Sequence, residues 1–144
     1  MTKLKKLLGC VYHHRSWPQG LVLLAARAYL AKVFFLSGLT KINSWPSTLA
    51  LFNDEYSVPL LSPELAAVLA TAGELVLPIL LILGLFTPLA ALGLMMMTLV
   101  IELFVFPGTT EHVYWLLLTA ILITHGGGKF SIDHGLLKYL QNIR

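Results

Sequence analysis

The sequence predicts an all-helical fold: an integral membrane four-helix bundle, in one domain of 144 residues, with short interfacial segments at both ends. Three observations predict it. The chain is 57% hydrophobic and 12% charged, where an ordinary soluble domain carries about 25% charged residues. A soluble protein of this size lacks the interior volume to hide so much apolar surface, and the mean hydropathy is +0.79. Four apolar stretches approach the roughly 20 residues that a helix needs to cross a bilayer, and proline and glycine separate them.

The first span is expected at about 21–41, after the Pro18-Gln19-Gly20 break. The second is expected at about 64–84. Ser62 suits its N-cap, Pro63 its first turn, Glu64 its positive end and Gly84 its exit. The third, about 88–106, repeats the device with Thr87 as cap and Pro88 as opener, and Pro107-Gly108 ends it. The fourth, about 110–126, has the shortest apolar part and borrows Thr119, Thr124 and its flanks to cross. The few residues between the second and third spans force an antiparallel hairpin. The longer first loop holds "STLALFNDEY", which suits a short helix on the membrane with Trp45 and Tyr56 near the headgroups.

Charge sets the expected orientation. Lys3, Lys5, Lys6, Arg15, Lys129, Lys138 and Arg144 fall on the side of the termini. The opposite side carries Lys41 with Asp54, Glu55, Glu64 and Glu111. The positive-inside rule therefore puts both termini in the cytoplasm, and a prokaryotic cytoplasmic membrane is the expected location. The segments before residue 17 and after residue 130 place leucines on one helical face beside lysines, as peripheral helices on anionic lipid do.

Several classes are excluded. Cys10 is the only cysteine, so the chain has no internal disulfide and no CxxC redox centre. No nucleic-acid-binding motif is present. The histidines do not fall at ligand spacing, and Met95-Met96-Met97 wraps around a helix as packing filler, so no metal site is expected.

The candidate intramembrane site is Arg27, Lys32, Glu74 and Glu102. A charge at mid-bilayer costs about 2.5–3.5 kcal/mol on insertion scales, so such residues face the bundle interior and pair. By helical rise, Lys32 and Glu74 both lie about 15–16 Å from their own ends of the bilayer and can meet. Arg27 sits about 9 Å deep and Glu102 is in the outer half, within reach of Lys32. One reading is that these pairs hold the bundle together, with Ala31, Gly38, Ala72, Gly73 and Gly93 packing closely. The other is a polar pocket for a headgroup, a quinone or a proton path. Pro78 frees a carbonyl near Glu74 and suits the pocket. His125, Lys129, Ser131 and Asp133 are the interfacial candidates. The glycines before them allow a sharp turn, Lys129 suits a lipid phosphate, and Ser131 or Asp133 caps the last helix.

Four stretches together resemble the DoxX (DoxD-like) family over about residues 21–137. They are Arg27 followed by "FFLSGLTKI", the stretch "SVPLLSPELAAVLATAGELVLPILLILGLFTPLAALGL", "LVIELFVFPG", and the tail "GGGKFSID". Gly127 stands where the family's tail often has proline, and Lys32 matches no family position. The resemblance implies a four-helix integral membrane protein. It implies that Arg27, Gly38, Lys41 and Glu74 are the family's polar positions, with Gly126, Gly128, Lys129, Ser131 and Asp133 its tail signature. It further implies a redox setting, since some relatives look like subunits of a thiosulfate:quinone oxidoreductase and others like membrane partners in redox-stress complexes.

The leading functional expectation is a membrane subunit of a redox-related, quinone-linked complex, with quinone as the candidate ligand. The alternatives are a non-enzymatic scaffold or anchor whose soluble or membrane partner docks on the cytoplasmic ends, and a small transporter subunit that oligomerises.

Overall fold

The computed structural model describes residues 16–56 and 60–143. The basic N-terminal segment with Cys10, His13 and His14, residues 57–59 and Arg144 lie outside them. Six helices follow in order: α1 Ser16–Asn43, α2 Trp45–Asp54, α3 Pro63–Leu83, α4 Thr87–Phe104, α5 Thr110–His125 and α6 Ile132–Asn142. There is no strand among the described residues.

Local chemistry fixes most of the ends. Ser62 Oγ accepts a hydrogen bond from Leu65 N (3.4 Å), and Pro63 opens α3 as expected. Gly84 ends α3 in the left-handed region at φ 68°. The start of α4 departs from the expectation. Thr87 is already inside the helix, and the N-cap is Phe86 at φ 49°, whose side chain caps nothing. The cap arrives from the far end of the chain. Asp133 Oδ1 and Oδ2 accept from Phe86 N and Thr87 N, both at 2.8 Å, and Asp133 N donates to Gly84 O at 2.9 Å. Ser131, not Asp133, caps α6, accepting from His134 N at 3.2 Å.

Small residues set the close packing. α1 lies against α3 at Gly38, where a β-carbon would meet Leu75 and Glu74. α3 lies against α4 through Gly73 on Met97 and Gly93 on Leu77. Ala72 instead faces outward. The main core joins Leu23, Leu30, Phe34, Leu81, Leu94 and Leu122. A second cluster seats α2 on α3 through Phe52, Ala66 and Ala67. The loop helix expected over "STLALFNDEY" is therefore a packed element that extends the bundle.

Three helices are long and apolar enough to cross a membrane: Trp17–Asn43, Pro63–Leu83 and Thr87–Phe104. At most 39% of their most apolar windows is buried inside the protein. Their outward faces carry exposed Leu36, Leu69, Val76, Ile79, Leu89 and Met96. So much contiguous apolar surface needs lipid to cover it. α5 has 16 residues, about 24 Å of helix, and falls short of that length.

Candidate functional site

The four charged candidates do not converge. Arg27 is fully buried at the α3–α4 turn, far from both glutamates. Its Nη1 donates to Leu81 O (3.3 Å) and its Nη2 to Phe130 O (2.6 Å), so it pins the segment after α5 onto the end of α3. Lys32 is exposed on α1 and makes no ion pair with a described residue. The expected meeting of Lys32 with Glu74 and Glu102 does not occur.

Glu74 is paired with Lys41 instead. Lys41 Nζ lies 2.8 Å from both Oε1 and Oε2 of Glu74 and 3.0 Å from Ser37 Oγ. Ser37 Oγ donates to Glu74 Oε1 at 3.2 Å. Ser37 and Lys41 are one helical turn apart on α1, so they face α3 together. The Glu74 side chain is only 4% exposed, and this three-residue network is what compensates the burial of its charge. Thr48 Oγ1 donates to Lys41 O at 3.0 Å, which satisfies a terminal carbonyl of α1 and ties α2 to it.

Glu102 has a different partner again. Its Oε2 is 2.6 Å from His112 Nδ1, and its Oε1 accepts from Gly108 N at 2.7 Å. It thus ties the α4–α5 loop to both flanking helices. His112 is buried, with its ring 5.0 Å from that of Trp115.

The Lys41–Glu74 network and His112 border one cavity of about 440 Å³. Ser37, Lys41 and Glu74 form one polar wall and His112 contributes to another. Most of the remaining lining is apolar, including Phe34, Met97, Ile101 and Trp115. On α3 the lining residues run no further than Glu74, and on α4 they begin at Met96, so the cavity lies in the half of the hairpin remote from its turn. Lining residues Leu69 and Met96 are also more than half exposed on the outer face, so the cavity opens sideways toward lipid. Tyr56 stacks edge-on against Phe52 (5.0 Å) and Phe106 (5.9 Å) and closes the end beneath α2. Burial first, then the charges of Glu55 and Glu74, push the Tyr56 phenol above its ordinary value, so it stays protonated. Trp115 Nε1 and Thr71 Oγ1 are buried without a hydrogen-bond partner.

The interfacial candidates sit at the opposite end. Lys129 Nζ lies 5.7 Å from the centroid of the Trp17 ring. Ser131 and Asp133 are the caps already described. His125 is exposed, with Nδ1 2.9 Å from Thr124 Oγ1 and 3.1 Å from Ile121 O. None of the four borders the cavity.

Ser37, Lys41 and His112 belong to the site although none is among the four charged candidates. The distribution of charge along the chain places Lys41 at the outer surface. Its side chain leans back toward the α1 N-terminus, as helical side chains do, and reaches Glu74. The available signals are the Ser37–Lys41 spacing and the family resemblance, which names Lys41 beside Glu74 among the polar positions.

Three helices long and apolar enough to cross a membrane, two of them joined by the Lys41–Glu74 ion pair, define a multi-pass helical membrane protein. The DoxX family model matches residues 22–107, well over half of the chain. The protein belongs to the DoxX family. The tail stretch from Gly126 to Asp133 lies beyond the matched residues. No curated protein and no solved structure matches.

Proposed function

We propose that the protein is a membrane subunit of a redox-related complex and that its cavity binds a quinone-like ligand. The observation that carries this reading is the cavity itself: apolar walls, a polar network of Ser37, Lys41 and Glu74 at its side, and a mouth toward lipid. Its 440 Å³ falls in the range of small-molecule sites, which are apolar with a few placed polar groups. A quinone matches that description, with a flat apolar ring, carbonyl oxygens for Lys41 or Ser37, and a tail that lies in the bilayer. The chain's own groups here bind and orient. We assign them no electron transfer.

The reading includes four crossings, with both termini at the cytoplasmic face of a prokaryotic membrane. Supporting it, the segment after α5 returns to the α3–α4 turn, where Asp133 caps α4. A chain that leaves that turn through α4 and comes back to it through α5 covers the same distance twice.

Native mass spectrometry of gently extracted protein tests the ligand. A lipophilic quinone should accompany the wild type and be lost or reduced in Glu74→Gln and in Ala70→Phe, which fills the cavity. An empty wild type that also fails to bind added quinone saturably would make the Lys41–Glu74 pair structural and overturn the reading.

A further inference from the structure

The Glu102–His112 pair has a consequence for what the cavity selects. We propose that His112 is the specificity-determining residue of this site, its Nε2 accepting a hydrogen bond from a ring hydroxyl. The inference rests on the quinone-like reading and adds which form of the ring is held.

The tautomer follows from geometry. Glu102 is an acceptor at both oxygens, Oε1 toward Gly108 N (2.7 Å) and Oε2 toward His112 Nδ1 (2.6 Å). A neutral imidazole carries one proton, and this contact requires it on Nδ1. Nε2 is then a bare acceptor, and it makes no hydrogen bond to a described residue. Glu102 does not border the cavity, whereas His112 does, so the ring stands between them with Nδ1 turned to Glu102. A hydroquinone offers O–H to an acceptor, and a quinone offers only C=O. With Nδ1–H given to Glu102, the bare Nε2 therefore favours the hydroquinone, because a quinone has no proton to offer it.

The charged and titratable groups around His112 are few. Glu102 faces it from α4, Lys41 and Glu74 border the same cavity from α1 and α3, Tyr56 borders it from beyond α2, and Glu111 adjoins it on α5. Lys41 and Glu74 are matched to each other at 2.8 Å.

Glu102→Gln gives the sharpest test. A glutamine can accept from Gly108 N with its oxygen and donate its amide to Nδ1, which moves the imidazole proton to Nε2 and makes it a permanent donor. His112→Asn keeps a donor for Glu102 and removes Nε2. Binding of a decyl-benzoquinone and of its hydroquinone, kept reduced under argon, would be measured on the full chain. The hydroquinone-to-quinone affinity ratio of wild type should exceed that of His112→Asn about tenfold, the scale of one hydrogen bond. In Glu102→Gln, where Nε2 no longer accepts, the ratio should fall to that of His112→Asn or below it. Binding of both forms with a ratio that His112→Asn leaves unchanged overturns this inference and leaves the quinone reading standing. So does a wild-type ratio that survives in Glu102→Gln. Failure of wild type to bind either form overturns both.

Discussion

At the scale of single residues, the buried charge on Glu74 decides most. Its carboxylate is 4% exposed and depends on one ammonium. Removing one partner of a buried pair is costlier than removing both, because the remaining charge has lost its compensation. Lys41→Met should therefore destabilise the protein by about 3–5 kcal/mol. The double substitution with Glu74→Met should recover much of that loss, as read by thermal unfolding in one detergent. Lys32→Leu should not destabilise the protein, since its side chain touches no such network and it removes a charge from an apolar span. The two lysines on α1 are alike as sequence, and Lys32 is the more deeply placed by simple rise along the helix. Rise alone cannot tell them apart, because it ignores which face meets α3 and how far a long side chain leans. Ser37, one turn before Lys41, marks the correct face.

At the scale of elements, α4 shows how a helix start can depend on a distant segment. Phe86 cannot cap, so two N–H groups at a helix end face Asp133. Asp133→Ala should cost about 0.5–2 kcal/mol, the range of a lost N-cap, and Asp133→Asn less. Amide exchange should rise first in the opening turn of α4. The neighbouring Gly84 is required twice, by φ 68° and by Arg27 and Ser131 packed where a β-carbon would stand. Gly108 shares a positive φ of 82° but has open space around it. Gly84→Ala should thus lower the unfolding temperature well beyond Gly108→Ala. The apolar runs and the proline and glycine breaks made the helices readable in the sequence. The tail glycines and Asp133 were readable as a turn and a cap. That Asp133 caps α4 instead of the helix it belongs to depends on a contact 46 residues apart, |133−87|, which no local pattern encodes. His112 was hidden for the same reason, since Glu102 meets it only after α4 and α5 fold back on each other.

At the scale of the whole molecule, the number of crossings sets which faces the two ends of α5 reach. Counting apolar length finds three helices, and α5 is left out at 16 residues. Length undercounts here, because α5 need not supply all of the crossing itself. The Gly126–Phe130 segment follows it, and Phe130 O is held at the α3 end by Arg27. If α4 crosses, the contact of Asp133 with the α4 N-terminus brings the chain back to the side from which α4 departed. The single cysteine makes this testable by labelling, because Cys10→Ser leaves a thiol-free background. Thr110, at the start of α5, and Asn142, beyond its end, are both exposed and suit replacement by cysteine. With four crossings and cytoplasmic termini, a membrane-impermeant thiol reagent should label Thr110→Cys in intact cells and Asn142→Cys only after lysis. Labelling of both from one side would mean that α5 does not cross, and the reverse pattern would invert the orientation drawn from the lysines and arginines at the chain ends.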